Sequence, residues 1–146
     1  MASLGWLLAA YGQQPRLVLP IGHTDKVYEA HFSADNKKVV TASKDKSAKI
    51  WDAGTGYLLT DLNQHDAPVW KALFSPDGAQ VLTYAYDVNA PDLSEHVYTL
   101  WAVATGNKIA RLAGPFPNEV GVAFSPDSRR IATYSDTVKI WNATNG

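Results

Sequence analysis

The sequence predicts an all-β fold assembled from three copies of one four-stranded antiparallel unit. Three observations predict it. First, "AHFSADNKKVVTASKD", "ALFSPDGAQVLTYAYD" and "VAFSPDSRRIATYSD", starting at Ala30, Ala72 and Val122, align on a shared Phe-Ser-x-Asp core. Second, Trp51, Trp101 and Trp141 are each followed five residues later by a glycine, at Gly56, Gly106 and Gly146. Third, the intervening segments are short runs rich in Val, Ile, Thr and Tyr bounded by turn residues, which is how strands read. Composition agrees: 146 residues, 46% hydrophobic and 18% charged, describe a folded chain with enough mass for one core.

The elements follow in order. Residues 1–15 read as an N-terminal tail or signal-peptide remnant. The stretch 4–12 has a short apolar core, with Ala10 and Gly12 spaced like the −3 and −1 positions of a cleavage site, but no basic residue precedes it. The compartment is left open between cytoplasmic and extracytoplasmic. "RLVL" (16–19) is an outer strand. The first unit, with that strand, occupies 16–62, the second 63–113 and the third 114–146, which lacks an outer strand of its own. Within a unit, two strands flank a Ser-x-Asp turn completed by Asn36, Gly78 or Ser128. Pro at the second position presets φ, Asp bonds the following backbone, and Gly or Asn accepts left-handed geometry, so Ser128 is the least suited of the three. A third strand ends at the tryptophan. A second turn ends at the glycine, and a fourth strand follows at 57–62 and 108–113.

The spacing is 42 residues from Phe32 to Phe74 and 50 from Phe74 to Phe124. Four short strands in a unit of about 40–45 residues are the mark of a propeller blade. On these repeats the chain resembles the WD-repeat β-propellers, in the style of bacterial WD-repeat arrays, from about Arg16 onward. The resemblance implies a partial propeller of three four-stranded antiparallel blades, not closed as a monomer, because closure takes about four to eight blades. It leaves an open edge on the third blade and end faces without neighbours. Further blades from the same or another chain would cover them. A longer array is favoured over head-to-tail pairing of two copies.

The resemblance also implies a buried hydrogen-bonded network in each blade, linking a His before the first strand, a hydroxyl on the second, an Asp in the following turn and the Trp of the third. In the first unit these are His23, Ser43, Asp45 and Trp51, with Asp52 completing the Trp-Asp pair. The second has His65, Asp87 and Trp101, with Ala85 at the hydroxyl position and Ala102 after the tryptophan. The third has Ser135, Asp136 and Trp141, with Pro115 near the His position and Asn142 after the tryptophan. Such a network is sound physically, because a buried carboxylate requires several donors and a buried indole N–H requires an acceptor. These His-Asp pairs are read as architecture and not as catalytic dyads.

The largest departure from the repeat is in the second unit. Thr83 and Trp101 are eighteen residues apart, against ten for Thr41 and Trp51 and eight for Thr133 and Trp141. The excess is a loop at 86–98, on the rim where binding residues of rigid scaffolds reside. Its Asp87, Asn89, Asp92 and Glu95 lack the glycine and ligand order of a calcium loop, so no metal and no cofactor are expected. Carried over position by position, the family's rim residues are Tyr28, Lys44, Trp70 and Tyr86, with Gly121 at the matching place in the third unit. Aromatic side chains suit a partner-binding surface; the plainer alternative is that Tyr28 and Trp70 pack on neighbouring strands.

Several functions lack their residues. There is no cysteine, no glycine-rich phosphate loop, no Gly-x-Ser-x-Gly and no His-Glu-x-x-His, and His23, His31, His65 and His96 show no ligand spacing. The sequon at Asn142 falls in a repeat turn. A net charge of −1 without a basic run argues against nucleic acid, and no apolar window is long enough for a membrane span. The expected function is a non-enzymatic scaffold that binds a protein or peptide partner. The alternative is a sensory or regulatory WD-repeat region of a larger bacterial signalling protein with its catalytic domain elsewhere. A distant third is an enzyme on a propeller scaffold, with Glu29, His31 and Lys71 as its scattered candidates.

Overall fold

In the computed structural model, which describes residues 22–87, 96–113, 121–134 and 137–145, all eleven strands belong to antiparallel sheets and follow one another as up-and-down meanders. The first sheet is β1 (Val27–Phe32), β2 (Lys38–Ser43), β3 (Ala48–Asp52) and β4 (Leu58–Leu62), paired in that order. The second is β5 (Val69–Phe74), β6 (Gln80–Ala85), β7 (Val97–Ala102) and β8 (Lys108–Ala113). The third, among the described residues, is three-stranded: β9 (Gly121–Phe124), β10 (Arg130–Tyr134) and β11 (Val138–Asn142). The expected outer strand at 16–19 lies outside the described residues. The C-terminal end of the expected 86–98 loop is strand: Val97 and Tyr98 open β7 and pair with Ala85 and Tyr84.

The first-to-second-strand turns are the same device three times. Ser33, Ser75 and Ser125 each donate their hydroxyl to the carboxylate two residues on, at 2.6 Å. The same carboxylates, of Asp35, Asp77 and Asp127, accept the amides of Lys37, Ala79 and Arg129 at 3.0 Å. Asn36, Gly78 and Ser128 take φ values of 58°, 70° and 60°, the left-handed conformation this turn requires. The second turn is equally local. Asp52 accepts from Gly54 N, Thr55 N and the Thr55 hydroxyl, and Asn142 does the same for Thr144. Ala102 has no such acceptor, yet Gly106 N still bonds the Ala102 carbonyl at 2.8 Å, as Gly56 N bonds that of Asp52.

Strand alternation gives each blade two apolar faces, and the core lies between blades. Val40, Ala42, Ala48, Ile50 and Leu62 of the first pack on Val69, Ala72, Val81 and Trp101 of the second. Leu82, Tyr84, Tyr98, Leu100 and Leu112 of the second pack on Ile131 and Ala143 of the third. The equivalent positions on the far face of the third blade, Tyr134, Val138 and Ile140, are 50%, 68% and 61% exposed, whereas Ile50 and Leu100 are completely buried. A sheet with this pattern is shaped for a neighbour on both sides.

Candidate rim and inter-blade sites

Local order begins with the tryptophans. In the first blade Trp51 Nε1 donates to the Thr41 hydroxyl at 2.8 Å, and Thr41 Oγ1 lies 2.6 Å from His23 Nε2. The Asp45 carboxylate on the other side of the ring can only accept, so in the neutral imidazole Nε2 is the acceptor of the Thr41 hydroxyl. Nδ1 carries the proton and donates it to Asp45 at 2.9 Å. Asp45 also accepts Thr24 N, Ser47 N and the Ser47 hydroxyl. Burial by itself would raise this carboxyl; the donors from Ser47, Thr24 and His23 outweigh it and hold Asp45 down to about 2.

The hydroxyl in this chain is Thr41 and not Ser43. Ser43 caps the following turn instead: its Oγ accepts Asp45 N at 3.1 Å and donates to the Asp25 carbonyl at 3.3 Å. The same correction restores the second blade. Ala85 carries no hydroxyl, but Thr83 Oγ1 lies 2.8 Å from His65 Nε2 and accepts Trp101 Nε1 at 2.8 Å. In the third blade Thr133 accepts Trp141 Nε1 at 2.9 Å, while Ser135 and Asp136 lie outside the described residues.

The second network stops short of the first. His65 Nδ1 is buried with no hydrogen-bond partner. Burial, aided by the Lys108 charge, lowers His65 to about 4; the nearby carbonyls of Lys46 and Leu62 offset this only partly and neither reaches bonding geometry. Asp87, the sequence counterpart of Asp45, forms no hydrogen bond with His65 Nδ1.

The rim residues come together through a shared distortion. The β1·β2 register shifts between Val27 and Glu29, and the β5·β6 register between Val69 and Lys71, so Tyr28 and Trp70 are the bulged residues. A bulge re-aims the side chain it carries. Here it stacks Tyr28 on Trp70 with centroids 4.3 Å apart and planes 3° from parallel. Tyr86 also stacks on Trp70, at 4.9 Å, and His96 continues the column at 4.7 Å from Tyr86. Trp70 Nε1 donates to the Tyr86 carbonyl at 3.1 Å, locking the centre of the stack. Three of the four expected rim residues are thus in one column. The fourth, Lys44, stands apart in an exposed pair with Asp25 at 3.7 Å. Nothing in the repeat pattern identified His96 as part of this column.

Gly121 sits where a Cβ would fall 1.8 Å from the Tyr134 ring, so the glycine lets that ring lie across the strand. Glu29 bonds His31 at 3.1 Å and accepts Ala72 N across the blade boundary. Among the described residues no cluster of His, Asp and Glu is placed to hold a metal ion, and no helix is long and apolar enough to cross a membrane.

Comparison with known proteins agrees with this geometry. The family profile "WD domain, G-beta repeat" matches residues 13–52 and 106–142, together just over half of the chain. Each match ends on the residue after a tryptophan. The unmatched middle holds the long loop, Ala85 and Ala102. The chain is 38% identical over 66 residues to an uncharacterized WD repeat-containing protein of Synechocystis, covering 44% of this chain and 19% of that one. It is 31% identical over 117 residues to eukaryotic translation initiation factor 3 subunit I of Kluyveromyces lactis, covering 80% and 31%. It is 34% identical over 95 residues to the nuclear distribution protein PAC1 of Arthroderma benhamiae, covering 60% and 19%. The chain therefore spans about a fifth to a third of the length of the curated relatives it matches.

Proposed function

Since this chain belongs to the WD40 family of G-beta repeats, whose role is protein interaction, we propose that it is a non-enzymatic scaffold segment of a larger propeller, holding a protein or peptide partner on its rim. The observation that carries the reading is the column Tyr28–Trp70–Tyr86. Three aromatic side chains from two blades, two of them on bulges, are held rigid before any partner arrives. Preorganised aromatics lose little rotamer freedom on binding and are frequent interface anchors. The column also joins neighbouring strands, so the same residues serve the packing role.

The larger-propeller part of the reading is supported by the far face of the third blade, where Val138 and Ile140 occupy positions that are wholly buried in the other two. Further blades, from the same or another chain, would cover it. Regulation of a catalytic domain elsewhere in a bacterial signalling protein is compatible with the same scaffold but has no observation of its own.

The test is affinity capture with the intact chain and with Trp70→Ala and Tyr86→Ala, folding being checked by the cooperativity of urea unfolding. Proteins retained by the wild type should be lost by both variants while unfolding stays cooperative. Capture that is unchanged in both folded variants would overturn the rim assignment.

A further inference from the structure

A cavity of about 540 Å³ lies at the second blade, lined by the 64–67 connection together with Ala85, Val97, Thr99, Lys108 and Arg111. Its volume falls in the range of sites that hold small ligands, about 300–1,000 Å³. One wall is apolar (Ala67, Ala85, Val97), and two cations stand on the strand beside it. Lys108 is positioned by two contacts, donating to the Gln64 carbonyl at 2.6 Å and lying 5.3 Å from the centroid of Trp101. Arg111 makes no ion pair among the described residues. Among the described residues Asp66 is the one carboxylate in the lining, so with His65 neutral these residues carry one excess positive charge.

Comparison with the first blade explains why the cavity exists. Positions 43 and 47 there are serines: Ser43 Oγ accepts the Asp45 amide, and the Ser47 hydroxyl donates to the Asp45 carboxylate. Their counterparts in the second blade are Ala85 and Val97, which have no hydroxyl. In the first blade Lys49 and Asp61 face each other across β3 and β4 and pair at 2.5 Å. In the second, the facing pair is Thr99 and Arg111. Thr99 takes the Lys49 position and Arg111 the Asp61 position, so a cation stands where the carboxylate was and the residue facing it is uncharged. Asp87, which aligns with Asp45, does not line the cavity.

From this we propose that the cavity binds a ligand carrying a carboxylate on a short apolar stem, with Arg111 and Lys108 on the carboxylate and Ala85 and Val97 along the stem. A planar guanidinium recognises a carboxylate through two parallel hydrogen bonds, and Lys108 adds a point charge that is already held in place. The ligand carboxylate supplies the counter-charge to a cation on this strand pair, as Asp61 does for Lys49 in the first blade. The site is separate from the rim column and does not depend on the protein-binding reading.

The test is a chemical-shift titration of the intact chain with glutarate and with its uncharged isostere glutaramide, following the Trp101 indole and the Thr99 amide. Glutarate should give saturable shifts and glutaramide none. Arg111→Gln, an exposed substitution, should weaken glutarate binding about tenfold or more, the loss expected for a charge-assisted pair. Lys37→Gln, which removes an equal charge in the first Ser-x-Asp turn, should leave it unchanged. Shifts that do not saturate, an equal response to glutaramide, or wild-type binding by folded Arg111→Gln would each overturn the proposal.

Discussion

His23 and His65 hold the same place in successive blades and meet opposite surroundings. His23 is joined on both nitrogens, while His65 bonds only Thr83 and keeps a buried Nδ1 without a partner. The consequence is a pH dependence located in the second blade. Burial lowers His65 to about 4 in the folded state, against roughly 6.5 when unfolded. Its contribution is complete above the unfolded value and is lost as pH falls from there towards 4, because only the unfolded chain takes up the proton. The full loss is about 3 kcal/mol. Urea unfolding midpoints of the wild type should fall between pH 7 and pH 4 by clearly more than those of His65→Gln. Equal slopes would remove His65 as the cause. The Asp45 contribution, present above pH 4 and lost as pH falls towards 2, lies in a lower window and stays distinguishable. The identity of the network hydroxyl was not legible from the chain. Thr41 and Ser43 are two residues apart on one strand, so alternation puts both on the same face. Only the pairing of β2 with β3 decides that the Trp51 indole reaches Thr41.

The strands and turns were almost fully legible, because each is specified within a few residues. The Ser and Asp that open and close the Ser-x-Asp motif bond within their own hairpin, and the three copies agree in distance and φ; the Ser128 hydroxyl alone reaches across, accepting Asp77 N. What was not legible depended on contacts between elements far apart in sequence. The cavity needs the 64–67 connection, the end of β6 and two residues of β8 to converge. His96 enters the aromatic column only because the chain returns from a long excursion. One turn carries a local conflict. Lys46, between β2 and β3, has φ 68° although it is neither glycine nor asparagine, and its side chain is exposed. Left-handed geometry costs a non-glycine residue about 1–2 kcal/mol, part of which glycine returns in unfolded-chain entropy. Lys46→Gly should therefore stabilise the chain by roughly 0.5–1 kcal/mol, read from thermal or urea unfolding. A destabilised variant would mean that the lysine stem packs in a way that outweighs the strain.

At the scale of the molecule, two faces differ only in having a neighbour. Leu100 is wholly buried against the third blade; its counterpart Ile140 is largely exposed beside Val138 and Tyr134. An apolar patch on a sheet face drives association until it is covered. Replacing Val138 and Ile140 with threonine, which keeps strand propensity, should lower the average mass measured by light scattering at a given concentration and leave the sheet circular-dichroism signal intact. An unchanged mass would show that this face takes no part in association. The self-contained turns have a further, kinetic consequence. A hairpin whose turn closes within six residues has little loop entropy to overcome and needs nothing from its neighbours to begin. Any of the three can start refolding, and order then spreads from blade to blade. A defect in one turn closes that starting point and leaves the other two open.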